Sequence, residues 1–335
     1  MKKFLLSSGN RVRVFAFMLV VILSTFSVPV SAASAPVSNY KLTTSKILYC
    51  FDNMSTTGKE EKIAKIGNYD TTISHWQGYQ KFGTTVILDR NVTSGAGRIV
   101  AGTLSGSKTE YTPFSFSKHT GGFQTIGNYL LAPNTDSGNT YISMYQIVSN
   151  QLIKKAWSMT INGFEAGSVG ITEYESEGIS YYVMLLGSTG GYRVYRAIAQ
   201  SGSEYINLED AVFSLIGSFS LSSTHDIVEF QGFGLITSTD NKIYVIGPYS
   251  ESHLTSYKDY LYLYELNTTN WSSLPTKLRK VHLTCKGGAA GAFGVHFRWG
   301  TGIQVFQDGF EVYATERNRT TLTGNLMTNY FTARF

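Results

Sequence analysis

Five times along this chain a glycine-rich polar stretch leads into a run of β-branched and aromatic residues, then a turn, a second run and usually a third. The first lead-in is "SHWQGYQKFG", followed by "TTVILDR" and "GRIVAGTL". "KHTGGFQTIG" precedes "YLLAP" and "YISMYQI", and "EAGSVGITEY" precedes "YYVMLLG" and "YRVYRA". "EFQGFGLITST" introduces "KIYVIGPY" and "YLYLYEL", and "GGAAGAFGVHFRWGTGIQV" introduces "FEVYATE", with "NYFTARF" as a last run. The lead-ins begin near residues 75, 119, 165, 229 and 287, a period of about 45–65 residues.

A group of three or four short strands makes a twisted sheet that cannot bury both of its faces alone. Packing such sheets around a common axis covers the faces and leaves only short edges exposed. The innermost strands then crowd the axis, which is why glycine gathers at their starts. The pattern predicts an all-β chain folded as a five-bladed β-propeller, or six-bladed if residues 40–74 form a sheet of their own. No long stretch carries apolar residues at helical spacing. "KEEKIAKI" (59–66) and "LEDAVFSLIG" (208–217) read as either short helix or strand, and "SKILYCF" reads as the first strand of the fold.

The first residues follow a different logic. Lys2, Lys3, Arg11 and Arg13 form a basic front, an apolar run follows, and "VPVSAASAP" ends it with small residues. That order predicts a secretory signal peptide over 1–32, a single β-propeller domain over 33–335, and a secreted, extracellular, monomeric product. The alternative is an uncleaved anchor, for which the apolar run is short against the roughly 20 residues that span a bilayer; no membrane span is expected in the mature form. Removing the four basic residues takes the formal charge from +5 to +1, so the basic balance belongs to targeting. Nucleic acid is not an expected partner, because no Lys/Arg cluster with interleaved aromatics survives. The two cysteines, Cys50 and Cys285, allow one internal pairing in an oxidising compartment. A bridge between them is expected, tying the first strand to the last blade.

"HWQGYQ", "HTGGFQTIGNYLLAP…ISMYQI" and "GTGIQV…GFEVYATER" resemble motifs of a group of uncharacterised secreted, propeller-like microbial proteins. The resemblance spans nearly the whole mature chain. It implies the propeller fold and carries no activity with it.

In a propeller, equivalent positions of successive blades form a ring, so the lead-ins should converge on one rim around the axis. His75, His119, Glu165, Asp226 and Lys286 occupy or adjoin that link, and Gln77, Gln124 and Gln231 follow just inside it. His296 and Arg298 begin the fifth inner strand. Plain binding is the leading chemistry: amide side chains both donate to and accept from sugar hydroxyls, and Trp76, Phe123, Phe233 and Trp299 could stack on sugar rings. Those aromatics read equally as wedges between blades. A hydrolase or lyase on the same rim is the alternative, with Glu165 and Asp226 as the carboxylate pair and Glu229 in reserve. Those carboxylates could instead simply bond backbone N–H groups of the lead-ins. A divalent metal held by His75, His119 and His296 is a minor alternative to having no cofactor. A structural or adhesive protein is the third class. The expected ligand is a glycan or cell-surface component, bound by His75, Gln77, His119, Gln124, Gln231, His296 and Arg298, with His75, His119 and Gln124 sharing one pocket.

Overall fold

The computed structural model describes residues 40–66, 75–91, 96–116, 119–199, 207–253, 256–288, 291–317 and 324–335. The expected signal segment, 1–32, lies outside them. One helix, α1 (Thr44–Asp52), is followed by strands β1 (Lys59–Ile63), β2 (Trp76–Phe82), β3 (Thr85–Arg90), β4 (Arg98–Thr103) and β5 (Lys108–Tyr111). Next come β6 (His119–Thr120), β7 (Gln124–Ile126), β8 (Tyr129–Asp136), β9 (Asn139–Val148) and β10 (Gln151–Ile161). They are followed by β11 (Ser168–Ser176), β12 (Ile179–Ser188), β13 (Gly191–Ile198) and β14 (Ser214–Phe219). The remainder is β15 (Gly234–Thr237), β16 (Ile243–His253), β17 (Ser256–Glu265), β18 (Thr276–Leu283), β19 (Val295–Phe306), β20 (Gly309–Glu316) and β21 (Leu326–Arg334).

Turn chemistry fixes the register of these strands. The two-residue loops Ser137-Gly138, Ser149-Asn150 and Glu177-Gly178 all have positive φ at both central residues, from 48° to 82°. That is the geometry whose twist matches two paired antiparallel strands. It joins β8 to β9, β9 to β10 and β11 to β12 with direct partners Asp136–Asn139, Val148–Gln151 and Ser176–Ile179.

The strands form four sheets. One has eight strands in the order β1-β21-β20-β19-β2-β3-β4-β5, antiparallel apart from a single parallel pairing of Thr301 on β19 with Gly78 on β2. The second runs β10-β9-β8-β6, with β7 also on β8; the third and fourth are β11 to β14 and β15 to β18 in sequence order. "KEEKIAKI" thus contributes a strand, β1, and it pairs antiparallel with β21. Residues 40–66 supply no separate sheet. The second ambiguous stretch ends in β14.

The leading strands of the sheets draw together. Gly122 donates to the Gly167 carbonyl at 2.9 Å, and its own carbonyl accepts from Val169. The Thr172 and Thr237 hydroxyls meet at 2.9 Å. Such approaches need bare backbone: a Cβ at Gly302 would overlap the Tyr79 carbonyl, and one at Gly122 the Gln231 carbonyl. The glycines of the lead-ins are therefore clearance for neighbouring strands.

Between sheets lie the aromatics. Trp76, Phe123 and Phe233 are fully buried, and a Cβ at Gly170 would come within 2.7 Å of the Phe233 ring. These three are wedges, unavailable for stacking on a sugar.

"SKILYCF" departs from expectation. It is helical because Thr43 caps it, its side chain accepting from Lys46 N at 3.2 Å. Ile47, Cys50 and Phe51, at i, i+3 and i+4, then make one buried face. That face packs on the eight-stranded sheet, with the Phe51 ring 6.4 Å from that of Phe310 on β20. Both cysteines are free thiols, which corrects the expected bridge. Cys50 is a core residue of the helix, and the Cys285 thiol is instead hydrogen-bonded to the Asp259 carboxylate. No helix among the described residues is long and apolar enough to cross a membrane.

Candidate functional site

Where the leading strands begin, their polar side chains share one mouth. His75 directly precedes β2, and its Nε2 is hydrogen-bonded to the Gln77 amide. Its ring stands edge-on to Trp299 of β19 at 5.3 Å. Burial lowers the His75 pKa to about 4, and His119 in its protonated form, Arg317 and Arg298 add to the effect. His119 on β6 is lowered too, by burial first, with Glu165 acting against it and Arg298 with it. Both imidazoles are therefore neutral at physiological pH. Residues from the first, second, third and fifth lead-ins feel one another's charge here. That convergence was expected for His75, His119, Glu165 and Arg298.

The fourth lead-in completes the mouth. Glu229 is half-buried, and its pKa is raised by burial against the opposing pull of Arg298. Glu229, Gln231 and Arg298 line a cavity of about 620 Å³, whose other wall includes Tyr249, Ser252 and Tyr257. Arg298 ties the cavity to the histidines, and the aromatic rings do so as well: Tyr257 meets Trp299 at 6.1 Å.

Beneath Tyr257 lies a buried acid. Asp259, 3% exposed, accepts from Ser250 Oγ at 2.5 Å, from the Phe297 N–H at 3.1 Å and from His296 Nδ1 at 2.8 Å. The other His296 nitrogen faces the Gly291 carbonyl at 3.2 Å. Burial alone would push the His296 pKa down, but Asp259 and that carbonyl together outweigh it and raise it.

Several expected ligand-binding residues have other work. Gln124 is 5% exposed; its Oε1 accepts from the Ile171 and Leu235 N–H groups at 2.9 Å each, and its Nε2 donates to the Leu235 carbonyl. It braces three leading strands and does not share the histidine pocket. His296 spends both nitrogens on Asp259 and Gly291, so it positions the ring above it. Gln77 is buried against His75. Asp226 does not face Glu165: it pairs with Lys277 in a left-handed turn, and that hydrogen bond lowers its pKa. Glu165 accepts from the Gly138 N–H at 2.9 Å. Lys286 is exposed, its backbone bonded to the Asn329 amide. Of the expected set, His75, His119, Gln231 and Arg298 remain at the mouth with Glu165 and Glu229.

No group of three or more His, Cys, Asp or Glu among the described residues is arranged to hold a metal ion. The His75–His119–His296 alternative fails because Asp259 takes His296. Tyr249, Ser252, Tyr257 and Asp259 were not foreseen. Their signal is the length of the β16–β17 hairpin, whose polar and aromatic tip "YSESHLTSYKDY" carries strand pairing to His253–Ser256.

No protein-family model and no curated protein matches the sequence. Among solved structures, the chain is similar to a GH43 endo-arabinanase from Bacillus licheniformis, with 12% identity over 75% of this chain and 92% of that one, at a TM-score of 0.40. It is similar also to the catalytic domain of a GH62 α-L-arabinofuranosidase from Coprinopsis cinerea, with 8% identity, 83% and 96% coverage and a TM-score of 0.46. A GH43_1 enzyme from Xanthomonas citri aligns at 10% identity over 86% and 92%, with a TM-score of 0.35. Likeness at this level carries no functional argument, and the geometry of the mouth must supply it.

Proposed function

We propose that this chain is a secreted, five-bladed β-propeller that binds a glycan at its axial mouth. The blade count is supported by cutting the eight-stranded sheet at its one parallel pairing. Five antiparallel units result, β2–β5, β6–β10, β11–β14, β15–β18 and β19–β21 with β1, so the N-terminal strand closes the last blade. The signal segment over 1–32 and the propeller over 33–335 follow from the basic front, apolar run and small-residue end.

The observation that carries the binding reading is the cavity of about 620 Å³ between Gln231, Glu229, Arg298 and the Tyr249–Tyr257 wall. Amide, carboxyl, hydroxyl and guanidinium groups there match sugar hydroxyls, and half-exposed tyrosines offer ring faces. A second reading adds cleavage. Burial helps Glu229 to keep its proton, which is what a general acid for a glycosidic bond requires, and Glu165 is a second carboxyl group at the same mouth.

A glycan array probed with the secreted chain tests the first reading, and product analysis on the bound glycans tests the second. Glu229→Gln should leave binding within a few-fold while removing any cleavage by about 10² or more. Bound glycans that stay intact would dismiss the hydrolase. An array with no signal would dismiss the glycan reading.

A further inference from the structure

We propose that the axial mouth selects glycans that carry a carboxylate, that is, oligosaccharides containing uronic acid, and that Arg298 is the residue that reads it. This rests on the glycan reading above and narrows it.

The argument begins with pairing. Arg90 and Arg98 pair with Glu110, Arg279 with Asp52, and Arg334 with Asp308 and Glu311, while Arg193 and Arg196 lie over the Phe164 and Tyr181 rings, outside the cavity. Arg298 is exposed, lines the cavity and makes no hydrogen bond or ion pair with any of the described residues. Its guanidinium carbon lies 6.0 Å from the Trp299 ring. A guanidinium is a planar fork of donors that fits a carboxylate at two points, and it keeps its charge at any working pH. A strand that exposes such a fork in the lining of a polar cavity offers a site that suits an anion.

The surroundings reinforce that sign of charge. Arg298 and Arg317 both act on His75 as cations, so the histidine side of the mouth is positive. Arg317 is held in place over Trp299 at 5.1 Å. Among the described residues Glu229 is the acid that lines the cavity, and its shift is toward the protonated form. A ligand carboxylate beside it would strengthen that shift, and a protonated Glu229 can donate a hydrogen bond to the ligand. The acid that could repel an anionic ligand is thus the one best placed to become its donor. Gln231, Ser252, Tyr249 and Tyr257 are left for hydroxyl groups.

The test is calorimetric titration of the secreted chain with four oligosaccharide sets: uronic-acid oligomers, their methyl esters, neutral oligomers of the same linkage, and sulfated neutral oligomers. At least one uronic-acid oligomer should bind, and its methyl ester should bind at least about tenfold more weakly. Arg298→Gln should show a similar loss for the acid and little change for the ester, while Arg298→Lys keeps part of the difference. Circular dichroism checks that the variant is folded, which is expected for an exposed side chain. Equal binding of acid, ester and neutral oligomers would overturn this inference and leave the glycan reading standing. Preference for the sulfated set would overturn selection of a carboxylate. Absence of binding in all four sets would remove both.

Discussion

His75 and His296 stand at the same mouth, linked through the Trp299 and Tyr257 rings, yet their electrostatics run in opposite directions. Centroid distances along that chain of rings are 5.3, 6.1 and 5.3 Å. His75 is buried among cations, and its pKa falls to about 4. His296 is buried too, but Asp259 lies 2.8 Å from its Nδ1, and its pKa rises. Equal residue type and similar burial therefore give a neutral ring held against Gln77 and a charge-paired ring beneath Tyr257. Burial alone does not assign a role; the partner does.

The comparison breaks most sharply at Asp259. Asp259→Ala strips the acceptor from His296, Ser250 and the Phe297 N–H at once, and strands the histidine charge. Breaking a buried pair from one side costs about 3–5 kcal/mol, so chemical denaturation should show a loss of that order. The exposed pair Asp226–Lys277 provides the contrast, because Asp226→Ala should cost less than about 1 kcal/mol. If the two variants were equally stable, the buried dyad would have no structural weight.

Acidity separates the two histidines next. His75 binds its proton less readily folded than unfolded, so the unfolded chain takes up protons first as pH falls below 6.5. Stability should therefore drop between pH 6.5 and about 4, by roughly 3 kcal/mol over the whole window. His119 is shifted the same way, and Arg298 and Arg317 are the fixed charges that face His75. His296 has the opposite sign. Its raised pKa gives a contribution fully present below 6.5 and lost as pH rises through the folded value. Asp259 is the charge facing it, with the Cys285 thiol behind. Imidazole proton shifts followed by NMR would resolve the two curves. Two histidines titrating together near 6.5 would contradict the whole contrast.

What the sequence disclosed follows the same division. The glycine-rich lead-ins announced the leading strands, because close backbone approach leaves a compositional mark at positions such as Gly122 and Gly302. The positive-φ turns at Ser137-Gly138 and Glu177-Gly178 were likewise marked by glycine. Helix α1 was misread because "ILYCF" is rich in strand-forming side chains, whereas its cap at Thr43 and its i, i+3, i+4 face were the stronger signal. At the mouth, sequence could place polar residues on a ring but not at a depth. Gln124 lies five positions beyond His119, and that distance carries it from the mouth to the neighbouring strands' backbones. Asp226 was expected on the rim, but its left-handed conformation goes with a pairing to Lys277, and Asp259 comes from the third strand of its sheet, where no lead-in pattern pointed.

The smallest expected effect lies at Cys285. Its thiol donates to Asp259, and burial with that acid raises its own pKa well above the ordinary thiol value. A sulfur with this partner is a proton donor and cannot at the same time be half of a bridge. Alkylating the denatured chain without reductant should therefore label both Cys50 and Cys285, and tryptic mass spectra should contain no linked pair. Cys285→Ala should go further. With one donor removed, Asp259 has more of its charge left for His296, so the His296 pKa should rise while that of His75 stays in place. Thiol hydrogen bonds are weak, so stability should change little and the NMR titration is the sensitive measure. A shift of His75 instead, or a His296 pKa that falls, would mean that Cys285 acts on the mouth by another route than Asp259.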